Sequence, residues 1–307
     1  MPRYGIAEWY GHRLAEMTLP ERRELASTAL HHKDELPPCP FQKGLPTCRK
    51  SGGVCSIQLY RDDGAGYASA SEDGPVIVCP ARFEQGDLLI SWLGEIVGFP
   101  RANMYMAREV PFMESIATSK PAGKIDLVVA RTDQGRLEWY GLEIQAVYFS
   151  GPGMSSEFRA LLDEESPSIP YPSHTRRPDW RSSSAKRLMP QLQVKVPTVR
   201  RWGAKMAVAV DQPFFEAIGG PSPNFSRDLG DGDIIWLVPK LVLGDEGTYR
   251  LEKAHWEVLT LEASNEKLLA ARTIQQSEFE AILRSKLTHS PLLTGGTYDR
   301  HCPPRDR

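Results

Sequence analysis

The chain has 307 residues, of which 41% are hydrophobic and 25% charged, and its formal net charge is −2. That length allows one large core, or a core with a small accessory module, and the composition is that of a globular protein rather than a disordered one. Apolar runs such as 234–239 are far too short to span a bilayer, and the near-neutral charge excludes a uniformly basic protein without excluding a local basic face.

Met1 leads straight into an amphipathic segment rather than a secretion signal, so a cytoplasmic protein is expected. Ile6, Trp9, Tyr10, Leu14 and Met17 keep helical spacing, and Pro20 fits the first turn of a second helix over about 21–30. Residues 1–35 therefore read as N-terminal helices. Residues 36–84 change character: prolines and glycines break any long element, and four of the five cysteines fall here. A segment so poor in apolar residues needs an external staple. From 85 to 307 the pattern is α/β. A helix is expected over 88–97, strands over 125–130 and 137–149 with a polar turn between them, and a Pro/Ser-rich connection over 150–183. Next come a helix over 185–202 kinked at Pro190 and Pro197, and strands over 205–211, 234–239 and 255–261. Ser277 and Glu280 form a capping box for a helix reaching Leu287, and the tail from Ser290 reads as irregular. No internal repeat is visible.

A tight turn at Gln134–Gly135 places Asp133 opposite Arg136 and, counting back, Asp126 opposite Glu143. Cross-strand Cβ atoms in such pairs lie about 4.5–5.5 Å apart. Alternation puts Glu143 and Gln145 on one face and turns Ile144 to the core. Two carboxylates so placed repel unless a cation lies between them, and Mg²⁺ takes carboxylate oxygens, with the Ile144 carbonyl as a third ligand. A metal held there can activate water and stabilise charge building on phosphorus.

Cys39, Cys48, Cys55 and Cys79 have the donor chemistry for zinc or iron, and they flank Pro and Gly rather than apolar stripes. Cys302 stands apart in the tail and reads as a bystander. Arg176, Arg177, Arg181, Ser182, Ser183, Lys186 and Arg187 form a basic, hydroxyl-rich segment suited to DNA phosphates and guanine edges.

These segments together resemble the NotI family of type II restriction endonucleases. The likeness is carried by Cys39-Pro-Phe, by 48–56 (Cys-Arg-Lys-Ser-Gly-Gly-Val-Cys-Ser) and by 78–83 (Val-Cys-Pro-Ala-Arg-Phe). It continues through Asp126, the run 141–145 (Gly-Leu-Glu-Ile-Gln), 177–184, 186–192 and 202–208. The resemblance implies a PD-(D/E)XK core, a mixed β-sheet flanked by helices, with a small N-terminal four-cysteine subdomain holding iron in a structural role. It implies a homodimer of a restriction-modification system that cleaves double-stranded DNA at a GC-rich palindrome, with a GGCC core in keeping. Gln145 matches the family's glutamine where the wider class has lysine. A neutral amide cannot serve as a base near neutral pH, so it should orient water or a phosphate oxygen. The class places a further glutamate on a helix before the hairpin; Glu114 is the first choice and Glu95 the second. The Pro-Asp dipeptide of the class is absent, since Pro121 lies five residues ahead of Asp126.

Three other readings compete. A non-catalytic, metal-stabilised DNA-binding protein leaves the Asp126/Glu143 pairing unexplained. A repair or nicking nuclease with the same core could act as a monomer on damaged or single-stranded DNA. A plain globular protein would keep its cysteines merely buried.

Overall fold

Alternation of buried contacts on both sides, rather than helical spacing, governs the N-terminus. In the computed structural model, which describes residues 1–32, 37–42, 47–71, 73–271 and 274–287, strand β1 (Arg3–Trp9) is followed by the short β2 (His12–Arg13). The expected first helix is absent because Gly5 to Trp9 are buried on both faces, and a strand covered on both sides has no period to distinguish it. Helix α1 (Leu19–His31) forms where expected, opened by a capping box between Thr18 and Glu21 with Pro20 in its first turn.

The cysteine-bearing segment is also less loop-like than its prolines suggest. Strand β3 (Val54–Asp62) runs nine residues through it and pairs antiparallel with β1, with β4 (Ala68–Ala70) and with β5 (Val76–Ile77). Val54, Ile57 and Val76 join the same core cluster as Val208 and Trp236 far along the chain. Residues 1–271 accordingly pack as one unit, and residues 36–84 lie within it. The second unit, 272–307, is described over 274–287, where α8 (Gln276–Leu287) forms as expected but begins before Ser277, which lies inside the helix rather than capping it. Cys302 and the tail from Ser290 lie outside the described residues.

Helix α2 (Leu88–Val97) has the expected bounds. It leads into a long antiparallel pair, β6 (Met104–Glu114) and β7 (Pro121–Asp133), and β7 turns into β8 (Arg136–Ile144). Gln134 and Gly135 both have positive φ, 47° and 77°, the backbone twist that two-residue hairpins require. The connection expected at 150–183 contains β9 (Phe149–Ser150), helix α3 (Ser155–Asp163) and β10 (Arg177–Pro178). Helix then runs from Trp180 to Arg201 as α4 (Trp180–Ser183), a π-helical turn over Ser184–Leu188, and α5 (Met189–Arg201). Strand β11 (Lys205–Ala209), helix α6 (Gln212–Ala217), β12 (Ile234–Leu243), β13 (Tyr249–Leu259) and helix α7 (Leu261–Leu269) complete the first unit.

The main sheet has the order β13–β12–β11–β8–β7–β6. Strands β8, β11 and β12 are mutually parallel and the other pairs antiparallel, so the protein is mixed α/β. Met206, Val208, Ile234 and Trp236 cover one face with α5 and α6, through residues such as Leu192, Val196, Phe214 and Phe215. Leu127, Leu142, Ala207 and Ile235 cover the other with Leu89 and Leu93 of α2. Each large side chain so buried contributes roughly 1.5–3 kcal/mol. A Cβ at Gly141 would lie 2.5 Å from the Met206 sulfur, so a larger residue there, two before Glu143, would displace the Met206 side chain where β11 lies against β8. Asp211, fully buried, caps α6 through Phe214 N–H and accepts Ile77 N–H at 2.7 Å, tying β5 to the end of the main sheet. Burial pushes its carboxyl up to about 7.

Candidate active site

The β7–β8 ladder takes the expected register, from Asp133↔Arg136 back to Leu127↔Leu142. One step further the two strands part, and side chains replace the main-chain pairing. Asp126 Oδ2 accepts Ile144 N–H at 3.0 Å, and Glu143 Oε1 accepts Asp126 N–H at 3.3 Å. The two carboxylates thus meet where the hairpin opens. Ile144 packs on the α2 side of the sheet, as alternation requires.

Glu143 is 1% exposed. Burial first, and repulsion from Asp126 second, push its carboxyl up to about 7. Lys195 on α5 opposes that shift, its ammonium 2.6 Å from Glu143 Oε2. Gln145 follows the end of β8; its N–H bonds Ala209 O of β11, and its Nε2 donates to Ala146 O at 2.6 Å.

Asp126, Ile144 and Gln145 line a cleft of about 690 Å³ that is also lined by Arg49 and Lys50 from the cysteine segment, Arg108 from β6 and Arg187 from the π-helical turn. Arg108 is paired with Glu84, and Lys50 Nζ donates to Val78 O at 2.8 Å. The Arg187 guanidinium lies 3.6 Å from the centre of the Tyr148 ring. Tyr148 itself is tied to the start of the basic helix, donating its N–H to Ser183 Oγ at 2.9 Å. The cleft therefore sets the Asp126 carboxylate and a buried amide among cations contributed by three separate stretches of chain, while Glu143 is buried and reaches the site through the Asp126 N–H.

Several expected residues fall elsewhere. Arg176 is 2% exposed and is held inside the fold by Glu157 at 2.5 Å, by the carbonyls of Pro152 and Gly153, and by Ser156. Ser183 is buried and donates to Asp179 O while receiving Tyr148 N–H. Both are structural contacts, and a run of charged letters gave no way to see that one arginine points inward. Arg177, Arg181, Lys186 and Arg187 are exposed, and Ser182 partly so; its N–H is held by the Asp179 side chain. Glu114 lies on β6, not on a helix; it is exposed and does not line the cleft. Glu95 is on α2 but pairs with Lys253. The acidic residues that do line the cleft beside Asp126 are Glu84, on a 3₁₀ helix over Pro80–Asp87, and Glu109, which bonds Lys124 at 3.0 Å.

The four expected cysteines are all unpaired thiols; Cys39 is half-buried and Cys48, Cys55 and Cys79 are buried. Burial raises the thiol pKa of the last three, and each also feels another cysteine of the set: Cys39 acts on Cys48, and Cys79 on Cys55. Among the described residues no three His, Cys, Asp or Glu side chains stand together as a ligand set for a metal. The sequence reading overlooked Arg49, Lys50 and Arg108, which no local pattern marks. It also overlooked Lys195, which had a signal: it interrupts the buried stripe Leu192, Val196 and Val199 of α5.

No helix among the described residues is long and apolar enough to cross a membrane. No curated protein matches the chain significantly. The family model described as restriction endonuclease NotI matches residues 23–251, a span that takes in the cysteine segment, the carboxylate hairpin, the basic helix and β11–β13 up to Leu251. On that match the chain belongs to the NotI restriction endonuclease family, and is a type II site-specific deoxyribonuclease acting on double-stranded DNA.

Proposed function

We propose that this endonuclease has a PD-(D/E)XK core over residues 85–307 and cuts a GC-rich palindrome, with a GGCC core, by Mg²⁺-dependent hydrolysis. The supporting observation is the opening of the hairpin, where Asp126, which lines a cleft carrying several cations, and the buried Glu143 are joined through each other's strand. The donor set suits a hard divalent ion: two carboxylates and the Ile144 carbonyl are all oxygen ligands, and burial and the Asp126 carboxylate still disfavour the Glu143 charge despite Lys195. When bound, such an ion supplies an activated water and stabilises charge on phosphorus.

The chain's own groups do the rest. Asp126 and Glu143 hold the ion. Gln145 has its Nε2 engaged with Ala146 O, so its Oε1 is the atom that accepts a hydrogen bond from water and orients it. Arg187 and Arg49 hold backbone phosphates on the two sides of the cut, and Arg177, Arg181 and Lys186 extend that face. A homodimer would present two such clefts to the two halves of a palindrome. Residues 36–84 are read as a small module in which Cys39, Cys48, Cys55 and Cys79 bind iron, or zinc, as a structural ion. The donors suit it chemically, since buried neutral thiols that disfavour one another when ionised are relieved by a shared cation. The cytoplasm, where thiols stay reduced, is the matching compartment.

Digestion of a fully sequenced plasmid with Mg²⁺ should yield discrete fragments whose ends all map to one GC-rich palindrome. Ends scattered over unrelated sequences would defeat the palindrome, and no cleavage with any divalent ion would defeat the metal-dependent mechanism.

The division of the basic segment is separately testable. Arg187→Ala should weaken DNA binding across all sequences and lower the slope of log affinity against log salt by about 1, the contribution of one phosphate contact. Arg176→Ala should leave that slope alone and instead destabilise the fold by about 3–5 kcal/mol, because Glu157 is left charged and buried. Binding isotherms at several salt concentrations, beside thermal melts, separate the two; equal slopes for Arg187→Ala and the native chain would remove Arg187 from the interface.

A further inference from the structure

We infer that Lys195 is a positioning residue of the catalytic centre, supplying from α5 the fixed positive charge that the neutral Gln145 leaves out; the inference rests on the Asp126/Glu143 site proposed above. Three observations carry it. The Lys195 side chain is 7% exposed, in the middle of a helix face otherwise made of Leu192, Val196 and Val199. Lysine is almost never buried without a specific partner, since removing an ammonium from water costs several kcal/mol. Its partner is Glu143 Oε2 at 2.6 Å, with Gln191 Oε1 at 3.0 Å as the second acceptor, and Gln191 itself lines the cleft.

The geometry divides Glu143 between two holders. Asp126 N–H takes Oε1 and the Lys195 ammonium takes Oε2, so the carboxylate is clamped from the hairpin on one side and from α5 on the other. The placement also depends on the fold at a distance. Helix α5 reaches this point because it packs on β11, which is parallel to β8 and matched Val208 to Glu143. Gln191 and Lys195 are four residues apart, one above the other on the helix, so the same turn meets both the cleft and the clamped carboxylate. Charge follows directly: Asp126 and Glu143 supply the carboxylates, Gln145 carries no charge, and Lys195 is the cation in contact with Glu143.

The test replaces Lys195 by Gln, which can still donate to Glu143 but has no charge, and by Arg, which keeps the charge. Single-turnover cleavage at saturating Mg²⁺, per folded molecule, should fall about 100-fold in Lys195→Gln, the scale expected when a reacting geometry is loosened. DNA affinity measured with Ca²⁺ should not change. Binding of Ca²⁺ alone, by calorimetry, should tighten about tenfold, because a like charge beside the ion has gone. Lys195→Arg should recover most of the rate and reverse the change in Ca²⁺ affinity. A native cleavage rate in Lys195→Gln, an unchanged Ca²⁺ affinity, or equal losses in both variants would each overturn the inference. The Ca²⁺ measurement needs only folded protein, so it decides even where cleavage is too slow to time. If Asp126→Ala still cleaves, the site itself has been misplaced; if it is dead while Lys195→Gln is unimpaired, the error lies in this inference alone.

Discussion

Asp126→Ala should slow cleavage on the order of 10³-fold under single-turnover conditions, while DNA binding in Ca²⁺ and the melting temperature stay close to native. The argument is geometric. Asp126 is on β7 at the point where the hairpin opens, where its Oδ2 holds Ile144 N–H and fixes the chain that leads to Gln145. Removing the carboxylate takes away a proposed metal ligand and frees one main-chain N–H at a partly solvated position, which costs little stability. A large loss of rate with small loss of fold is therefore the signature of a chemical role. Glu143→Gln should lose a similar factor, but it also leaves the Lys195 ammonium buried without its anion, so the melting temperature should drop as well. If Asp126→Ala cleaves within tenfold of the native rate, the carboxylate pair is not the centre and the register is a coincidence of the hairpin.

Arg82→Ala should destabilise the protein by about 3–5 kcal/mol. For a unit of this size that is a fall of roughly 10 °C in the melting temperature. Arg82 and Glu8 are both fully buried, 2.9 Å apart. Glu8 comes from β1; Arg82 also donates to Gln85 Oε1 at 2.8 Å and to Tyr249 O of β13 at 2.9 Å, and its guanidinium lies against the Phe41 ring. One side chain thus binds the N-terminal sheet to the edge of the main sheet, beside the cysteine segment. Truncating it strands the Glu8 carboxylate, which burial already pushes up and which Ser56 alone would then satisfy. Replacing both partners, as Glu8→Gln with Arg82→Met, should cost much less than the single change, since no buried charge is left unpaired. Urea or thermal melts of the two single variants and the double close that cycle. Equal losses in Arg82→Ala and the double variant would show that packing, not the charge pair, is what Arg82 provides.

How far the sequence reaches is clearest from particular elements. Helix α2 was legible because its apolar residues repeat at helical spacing, and α1 because Pro20 fits a first helical turn; the Thr18/Glu21 capping box came only with the structure. The hairpin was legible down to its register, since a two-residue turn with Gly135 admits one pairing, and one pairing places Asp126 beside Glu143. Strand β1 was misread as a helix, and the cysteine segment as nearly all loop, because β1 and β3 are buried through partners far from them in sequence. The helical setting expected for Glu114 failed for the same reason: β6 is a strand because β7 pairs with it, and nothing in 104–114 alternates strongly enough to announce that.

What the sequence by itself determined is therefore the chemistry that local rules encode: turn, register, the four cysteines, and the motif set that marks the family. Only the tertiary structure decided which charges face the cleft. Arg176 and Arg187 sit eleven positions apart in one basic run, yet one is locked on Glu157 and the other stacks on Tyr148 at the cleft wall. Lys195 reads as an ordinary helical lysine until β11 brings its helix over Glu143. The reason is physical: periodicity and turn geometry act over a few residues, whereas the cost of burying a charge is settled only by the partner that the whole fold delivers to it.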